Sequence, residues 1–292
     1  MSTLWMLLIT AAWCRAGAAD PAVLVVWTSG VAPFEEALCG LRSSLSGFEA
    51  VDLKSPSAES ELEQATRRTP RLVVAIGMNA LTAVKSRHFS GPVLATMILR
   101  SDGAAVLGSA QKTGAIYLDV PLSDVTARLR ATFPGKARLG MIRNPARETA
   151  IDPQGGRQHG FSIEPRDCGS PELLLKSLLS LKRKADFVLL QPDASLYNEA
   201  TARPLLMASI ENQLPVIGFS ASFVRAGAAL GVYPDFQDIG AQTGEAARRF
   251  LAGAGLLNET PRKLIFAANP GVLRLLGLEY KSTPEFPVTV IK

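Results

Sequence analysis

A serine in a sharp turn is the residue of this chain that most resembles a catalytic nucleophile. The segment "GFSAS" (residues 218–222) follows a short apolar run and resembles the G-x-S-x-G nucleophile elbow, although Ser222 occupies the last glycine position. An elbow serine needs a histidine later in the chain to accept its proton. Both histidines, His88 and His159, precede it. The sequence therefore disfavours a hydrolase and leaves Ser220 as a helix cap or a ligand-binding hydroxyl.

The other residue patterns of catalysis and cofactor binding are missing from the sequence. The two histidines and the cysteines lie far apart and have no metal-ligand spacing. The segment "GSAQKT" (residues 108–113) lacks the second glycine of a phosphate-binding loop, and no G-x-G-x-x-G motif follows an apolar run. We therefore expect a protein that is not an enzyme and that holds no metal and no cofactor.

Polar side chains stand directly after several apolar runs, which is where parallel sheets bind their ligands. Most of these residue types also suit a helix cap or a turn, so both roles stay open. Arg100 is harder to explain as a cap, because a cation beside a strand end can pair with a ligand carboxylate. Phe219 offers a face on which a flat ligand can stack. The candidate ligand-binding residues are Thr28, Ser29, Asn79, Arg100, Asn144, Asp193, Phe219, Ser220, Tyr233 and Asp235.

The elements that must position these residues are short apolar strands alternating with amphipathic helices. The strands are predicted at 23–27, 72–76, 93–97, 115–118, 139–142, 187–190 and 215–217. Continuous apolar strands between helices indicate parallel sheets that are covered on both faces. Such units occur in similar number before and after Pro121. The sequence predicts an α/β protein of two doubly wound parallel-sheet lobes, with a ligand cleft between them that closes by hinge motion.

Several helix starts can also be predicted. Asn79 is placed to cap the helix that carries Leu81 and Val84, and Ser123 or Asp124 is placed to cap the helix that carries Val125.

Composition and charge restrict the partners of the chain. Its 292 residues are 47% hydrophobic and 20% charged, and the net charge is +5. The basic cluster at 182–184 follows an apolar helical pattern and suits the last turn of a helix. Without a basic stripe or an aromatic ladder, no nucleic-acid partner is expected. Cys39 and Cys168 are predicted to be small buried side chains and not a disulfide.

The first residues differ from the rest of the chain. Residues 4–12 are apolar except for one threonine, and small residues follow at 16–19. Such a run is too short to span a membrane and is typical of a secretory leader, although it lacks an N-terminal cation and Arg15 follows the run. We expect a signal peptide at residues 1–19 and a mature protein in the periplasm.

Several segments of the second half form a recognisable set: 191–193 with Asn198, 215–220, 223–228, the pattern Gly240-x-Gln242-x-Gly244-Glu245-x-Ala247, Asn269, and 276–278. Together they resemble the periplasmic substrate-binding proteins of ABC importers, a family once described only as a domain of unknown function. Some of its members bind tryptophan or other aromatic amino acids. Weaker similarity runs through 77–80 and 121–145.

The resemblance implies the type I periplasmic-binding-protein fold, in which the chain crosses three times between two lobes. The crossings are expected near Val120, near Pro234, and at 266–270. Lobe one would comprise residues 20–120 plus 236–263, and lobe two residues 121–235 plus 264–292. Family members usually carry an acidic-Pro pair after the strand at 93–97. This chain has Arg100 nearby, which favours an anionic ligand.

The function expected from the resemblance is solute capture for an ABC importer. The ligand would be a small amino-acid-like, aromatic or anionic molecule, and the partner an inner-membrane permease. A monomer is expected. An alternative is a ligand sensor of the same fold that feeds no permease; a permease and an ATPase encoded beside the gene would favour import.

Overall fold

The computed structural model of the chain describes residues 22–108, 112–147 and 159–291. The predicted leader at 1–19 lies outside these described residues. In chain order the strands are β1 (Val23–Trp27), β2 (Phe48–Asp52), β3 (Leu72–Ile76), β4 (Val93–Ile98), β5 (Thr113–Tyr117), β6 (Arg138–Arg143), β7 (Ser162–Asp167), β8 (Phe187–Leu190), β9 (Val216–Gly218), β10 (Leu230–Pro234), β11 (Asn258–Glu259), β12 (Leu264–Ala268) and β13 (Thr289–Val290).

The helices alternate with these strands along most of the chain. They are α1 (Ala32–Ser44), α2 (Ala58–Arg67), α3 (Met78–Lys85), α4 (Arg100–Leu107), α5 (Leu122–Thr132), α6 (Leu174–Ser180), α7 (Glu199–Glu211), α8 (Ala221–Arg225), α9 (Phe236–Leu251) and α10 (Pro270–Leu275). Within the described residues, no helix is both long enough and apolar enough to cross a membrane.

The first sheet contains six of the described strands in the order β11-β5-β4-β3-β1-β2, and all of its strand pairs are parallel. Its central strands β3 and β4 are buried along their whole length. Such strands need helices on both faces, which explains why their sequences are continuous runs of apolar residues. One core cluster lies on each face: Leu62 and Leu81 belong to one, Leu41 and Ile239 to the other.

The second sheet contains seven of the described strands in the order β13-β12-β10-β9-β8-β6-β7. Its pairs are parallel except for β10 with β12, which is antiparallel. Leu129 and Phe187 lie in the core on one face, and Leu178 and Leu205 in the core on the other. Each sheet therefore has its own pair of cores.

Within the described residues the chain passes between the sheets at three places. It leaves the first sheet after β5 at 118–121, returns after β10 at Asp235, and leaves again between β11 and β12 at 260–263. The third crossing expected at 266–270 is misplaced, because Phe266 already pairs with Val232 inside the second sheet. The exact lobe boundaries stay a prediction, because they are defined by relative motion.

The second and third crossings are fixed to each other and to α9. The backbone N–H of Asp235 donates to the carbonyl oxygen of Lys263 at 3.0 Å. The buried Gln242 donates from Nε2 to Glu259 Oε2 at 2.9 Å and to the carbonyl oxygen of Thr260 at 3.1 Å. Arg262 pairs with Asp238 at 3.0 Å. These bonds tie both connecting segments to the start of one helix.

Helix α9 packs on α1 at a backbone distance that only glycine allows. A Cβ added at Gly240 would lie 1.8 Å from the carbonyl oxygen of Ala37. On the facing helix, a Cβ at Gly40 would lie 1.8 Å from the carbonyl oxygen of Gln237. The late helix α9 therefore belongs physically with the first sheet, although the chain reaches it from the second.

Three local expectations are wrong. Gly77, and not Asn79, precedes α3, because its φ of +88° turns the chain directly from β3 into the helix. Pro121 precedes α5, so Ser123 and Asp124 lie inside its first turn. Cys168 is buried as expected, but Cys39 is exposed on α1; both are free.

We predict that Gly240→Ala lowers the free energy of unfolding by about 3 kcal/mol, because the new methyl group must push α1 and α9 apart. Urea unfolding measures the change. Gly255→Ala is the matched control, since a Cβ there meets nothing within 4 Å and its φ is not positive. Equal stabilities of the two variants would contradict the close helix contact.

Candidate functional site

A cleft of about 320 Å³ lies where the carboxyl ends of strands from both sheets face each other. Most lining residues on the first sheet's side lie at or just after the ends of β1, β4 and β5, and most of those on the second sheet's side lie at or just after the ends of β8, β9 and β10. This is the position at which doubly wound sheets bind ligands. The lining residues are Val31, Pro33, Phe34, Met97, Leu99, Leu118, Val120, Val125, Leu189, Leu190, Gln191, Pro192, Phe219, Ser220, Val232, Pro234 and Phe236.

The cleft is apolar except at one end of the second sheet. Among the described lining residues, only Gln191 and Ser220 have polar side chains. Ser220 Oγ accepts the backbone N–H of Phe223 at 3.2 Å and so caps α8. Gln191 is 9% exposed, and its Oε1 is buried without a hydrogen-bond partner. The Gln191 carboxamide therefore brings a buried acceptor without a partner to the cleft.

Phe219 enters the cleft from an aromatic cluster. Its ring centroid lies 4.5 Å from that of Phe223 and 5.5 Å from that of Tyr197. Tyr197 is 8% exposed, and its hydroxyl has no hydrogen-bond partner. Burial raises the pKa of Tyr197 above its ordinary value. The phenol therefore stays neutral, and the cluster holds Phe219 by packing and not by charge.

Phe34 is held against the cleft by a glycine. Gly77 has a φ of +88°, and a Cβ there would lie 2.6 Å from Cζ of the Phe34 ring. The edge of that ring therefore occupies space that any other residue at position 77 would take. Gly77 also donates its backbone N–H to the carbonyl oxygen of Thr96 at 2.8 Å, which connects β3 to β4.

Met97 reaches the cleft through an irregular backbone. Its φ is +58°, and the pairing of β4 with β5 shifts register between Thr96 and Ile98. A left-handed conformation is unfavourable for a residue with a side chain, typically by about 1–3 kcal/mol. The irregularity adds one residue to the strand and so re-aims the side chains at its end.

A polar cluster connects the two halves of the chain beside the cleft. Asn144 donates from Nδ2 to Asp193 Oδ2 at 3.0 Å, and Ser195 donates from Oγ to Asp193 Oδ1 at 2.6 Å. Arg147 contacts Asp102 of α4 at 2.7 Å and lies 3.7 Å from Asp193. Burial raises the pKa of Asp193, but these hydrogen bonds and Arg147 outweigh it, so the pKa lies below its ordinary value.

Arg100 does not line the cleft. Its guanidinium carbon lies 4.3 Å from the ring centroid of Tyr117, in a cation–π contact. Its backbone N–H donates to Asp119 Oδ2 at 2.8 Å. Burial raises the pKa of the Asp119 carboxyl above its ordinary value, although Arg100 opposes the shift. The cation is therefore already engaged within its own unit.

The predicted ligand-binding residues Thr28, Ser29 and Asn79, on the first sheet's side, lie apart from the cleft. Ser29 donates its backbone N–H to Asp52 Oδ1 at 3.0 Å, at the far strand β2. Thr28 Oγ1 is buried without a partner, and Asn79 is exposed. None of these three residues is among those that line the cleft.

Two candidates of the second sheet have structural roles. Tyr233 alternates along β10 with Val232 and Pro234, so it packs with Val224 on the opposite face from the cleft. Asp235 accepts the backbone N–H of Asp238 at 3.1 Å and Lys263 Nζ at 2.7 Å. It therefore caps α9 at the second crossing. The cleft brings together Phe219 and Ser220, and the polar cluster brings together Asn144 and Asp193.

Sequence reasoning missed the apolar half of the cleft. Val31, Phe34 and Met97 all line it, but their sequence pattern is that of core residues. Phe34 even continues the helical spacing of Leu38 and Leu41, which are buried. The signal that was present is Gly77, since a glycine directly after a strand often marks a close approach.

Comparison with solved structures shows the fold. No protein-family model matches the chain, and no curated protein matches it. The ligand-free, open structure of a substrate-binding protein with adhesive properties from Clostridium difficile matches with a TM-score of 0.66 at 17% identity. The match covers 92% of this chain and 99% of that one.

Two further solved structures have the same fold as this chain. An ABC domain from Streptococcus pneumonia in complex with L-Trp has a TM-score of 0.59 at 16% identity, covering 92% of this chain and 100% of that one. A conserved domain protein from Vibrio cholerae has a TM-score of 0.60 at 18% identity, covering 92% and 99%. The chain has the fold of periplasmic substrate-binding proteins, and the predicted class of two mostly parallel α/β lobes is confirmed.

We predict that Gly77→Ala destabilises the protein by about 2 kcal/mol, because alanine cannot adopt this φ without strain and its methyl group displaces Phe34. Gly47→Ala is the control: its φ is +75°, but a Cβ there meets nothing within 4 Å. Urea unfolding should therefore show a smaller loss for Gly47→Ala. A smaller loss for Gly77→Ala would mean that Phe34 does not pack on position 77.

Proposed function

We propose that this protein is the solute-binding component of an ABC importer, which captures a small molecule in the cleft and delivers it to an inner-membrane permease. The observation that supports this most directly is the cleft itself. About 320 Å³ of mostly apolar space lies between two sheets that three short connecting segments join. Such a site suits binding of a compact ligand with an apolar body.

The connections between the sheets support closure by hinge motion. The segments at 118–121, Asp235 and 260–263 are short, and the last two are bonded to each other. A hinge needs only a few residues at element ends to change their dihedral angles. The Arg147–Asp102 ion pair joins the two sides at 2.7 Å in this structure, and in the proposed motion it would break as they separate.

The lining supports binding and not catalysis. Among the described residues of the cleft there is no histidine, carboxylate or lysine beside Ser220 that could accept its proton. Its Oγ instead holds the backbone of α8. A cleft with this composition offers surface for dispersion contacts and few groups for proton transfer.

Within the ligand classes that the sequence suggested, the geometry favours an aromatic or otherwise apolar body. Phe34 and Phe219 present rings from opposite sides of the cleft. The argument for an anion was based on Arg100, and that cation contacts Tyr117 instead. The L-Trp described for the domain from Streptococcus pneumonia, which has this fold, has an aromatic body of this kind, and only that part of the ligand supports the proposal. We further propose export by the leader at 1–19, a periplasmic location and a monomer.

Replacement of a cleft residue by tryptophan should block ligand binding. We predict that Val31→Trp weakens the affinity for a solute found by thermal-shift screening at least tenfold, because Val31 lines the cleft and the indole fills it. Calorimetry measures the affinity. Val31 is the residue before α1, and its side chain makes no capping bond, so its replacement keeps the backbone carbonyl that accepts the N–H groups of Phe34 and Glu35.

The control is Val106→Trp, the same change at an exposed position of α4 that does not line the cleft. It should bind as the wild type does. Delivery is tested separately by uptake of that solute in cells that lack the gene. Unchanged affinity in Val31→Trp, or uptake that does not depend on the protein, would contradict the proposal.

A further inference from the structure

The charged candidates around the cleft are already engaged with other protein groups. Arg100 stacks on Tyr117 and does not line the cleft. The carboxylate of Asp193, 5% exposed, receives bonds from Asn144 and Ser195 and lies beside Arg147. Asp235 is paired with Lys263 at 2.7 Å. None of the three is free to balance the charge of a ligand.

The described lining itself carries no charged side chain. Moving an ion from water into such surroundings is unfavourable unless an opposite charge or several hydrogen bonds meet it. The polar side chains of the lining, Gln191 and Ser220, provide at most a few neutral hydrogen bonds. A zwitterion or an anion would lose most of its hydration here without replacement.

Gln191 adds a positive requirement for the ligand. The residue is nine-tenths buried, and its Oε1 has no hydrogen-bond partner. A buried acceptor without a donor is unfavourable, and a native protein normally satisfies it. Rotation of the carboxamide about its terminal torsion exchanges Oε1 and Nε2, so a neutral ligand group can be met by either a donor or an acceptor.

We infer that the cleft selects an uncharged, mainly apolar molecule with a neutral hydrogen-bonding group that reaches Gln191. This inference rests on the proposed function, and it names the chemical class of the ligand. It sets the expected ligand apart from both free amino acids and organic acids. The same described lining that favours an aromatic body thereby disfavours a charged head group.

A matched pair of fluorescent probes tests the inference without knowledge of the natural ligand. N-phenyl-1-naphthylamine is uncharged and carries one N–H donor; 8-anilino-1-naphthalenesulfonate has the same rings with a sulfonate added. Cleft binding is defined as the fluorescence gain that Val31→Trp removes and Val106→Trp retains. We expect the amine to bind in the cleft at least tenfold more tightly than the sulfonate.

A charge introduced at position 191 should reverse the preference. Gln191→Lys places a cation in the lining, so the ratio of sulfonate affinity to amine affinity should rise at least tenfold. Gln64→Lys, the same change at an exposed position of α2, should leave the ratio unchanged. Circular dichroism confirms that each variant is folded, and the wild-type comparison of the two probes stands without them.

The outcomes separate the ligand class from the function. Tighter cleft binding of the sulfonate by the wild type, or cleft binding of neither probe, overturns the inference. A folded Gln191→Lys variant with an unchanged ratio also counts against it. None of these results depends on solute uptake, and the uptake experiment tests only the importer role. Conversely, a correct probe preference with no protein-dependent uptake would leave the ligand class standing and remove the importer.

Discussion

The close contact of α9 with α1 is the constraint on which the rest of the structure depends. Gly240 and Gly40 let the two helix backbones touch, and this contact holds a late helix on the first sheet. Since the chain enters α9 from β10 of the second sheet, it must cross between the sheets to reach α1. It must then cross again to reach β12. A single helix contact therefore turns one chain connection between the sheets into three.

The crossings determine what the cleft is made of. Leu118 and Val120 belong to the first crossing, and Pro234 and Phe236 flank the second. Part of the cleft lining therefore comes from the segments that connect the two sheets. Connecting segments that face solvent are usually polar. Here the side chains that line the cleft are apolar, as expected of a surface that a bound ligand would cover. The polar groups lie to the side, where Asp193, Asn144 and Arg147 satisfy one another.

The strands could be predicted from the sequence because a buried parallel strand has a simple pattern. The strand at 187–190 matches the prediction residue for residue, and the strand at 93–98 is one residue longer than predicted. Phe48–Asp52 was not predicted, because this edge strand is only partly buried and has mixed composition. The third crossing, carried over to 266–270 from the family resemblance, was misplaced by a few residues, because 264–268 already form β12 and pair with β10.

The cleft was harder to predict, for a physical reason. Polar residues after strands include Asn79, which faces solvent, and Asn144, which bonds to Asp193. Sequence alone does not separate them. Apolar residues such as Val31 and Phe34 bind ligands by the same contacts that build a core, so nothing in their pattern reveals a cavity. Only the positions of the strand ends, known after folding, show which side chains surround the space.

The central claim is that the two sides of the cleft close around an uncharged ligand. The direct measurement is the distance between spin labels on Cys39 of α1 and on Met207→Cys of α7; both sites are exposed, and Cys168 is buried. The account predicts that N-phenyl-1-naphthylamine shortens the mean distance and narrows its distribution, and that the additional change Val31→Trp abolishes this effect. A distance that is the same with and without the bound amine would contradict closure.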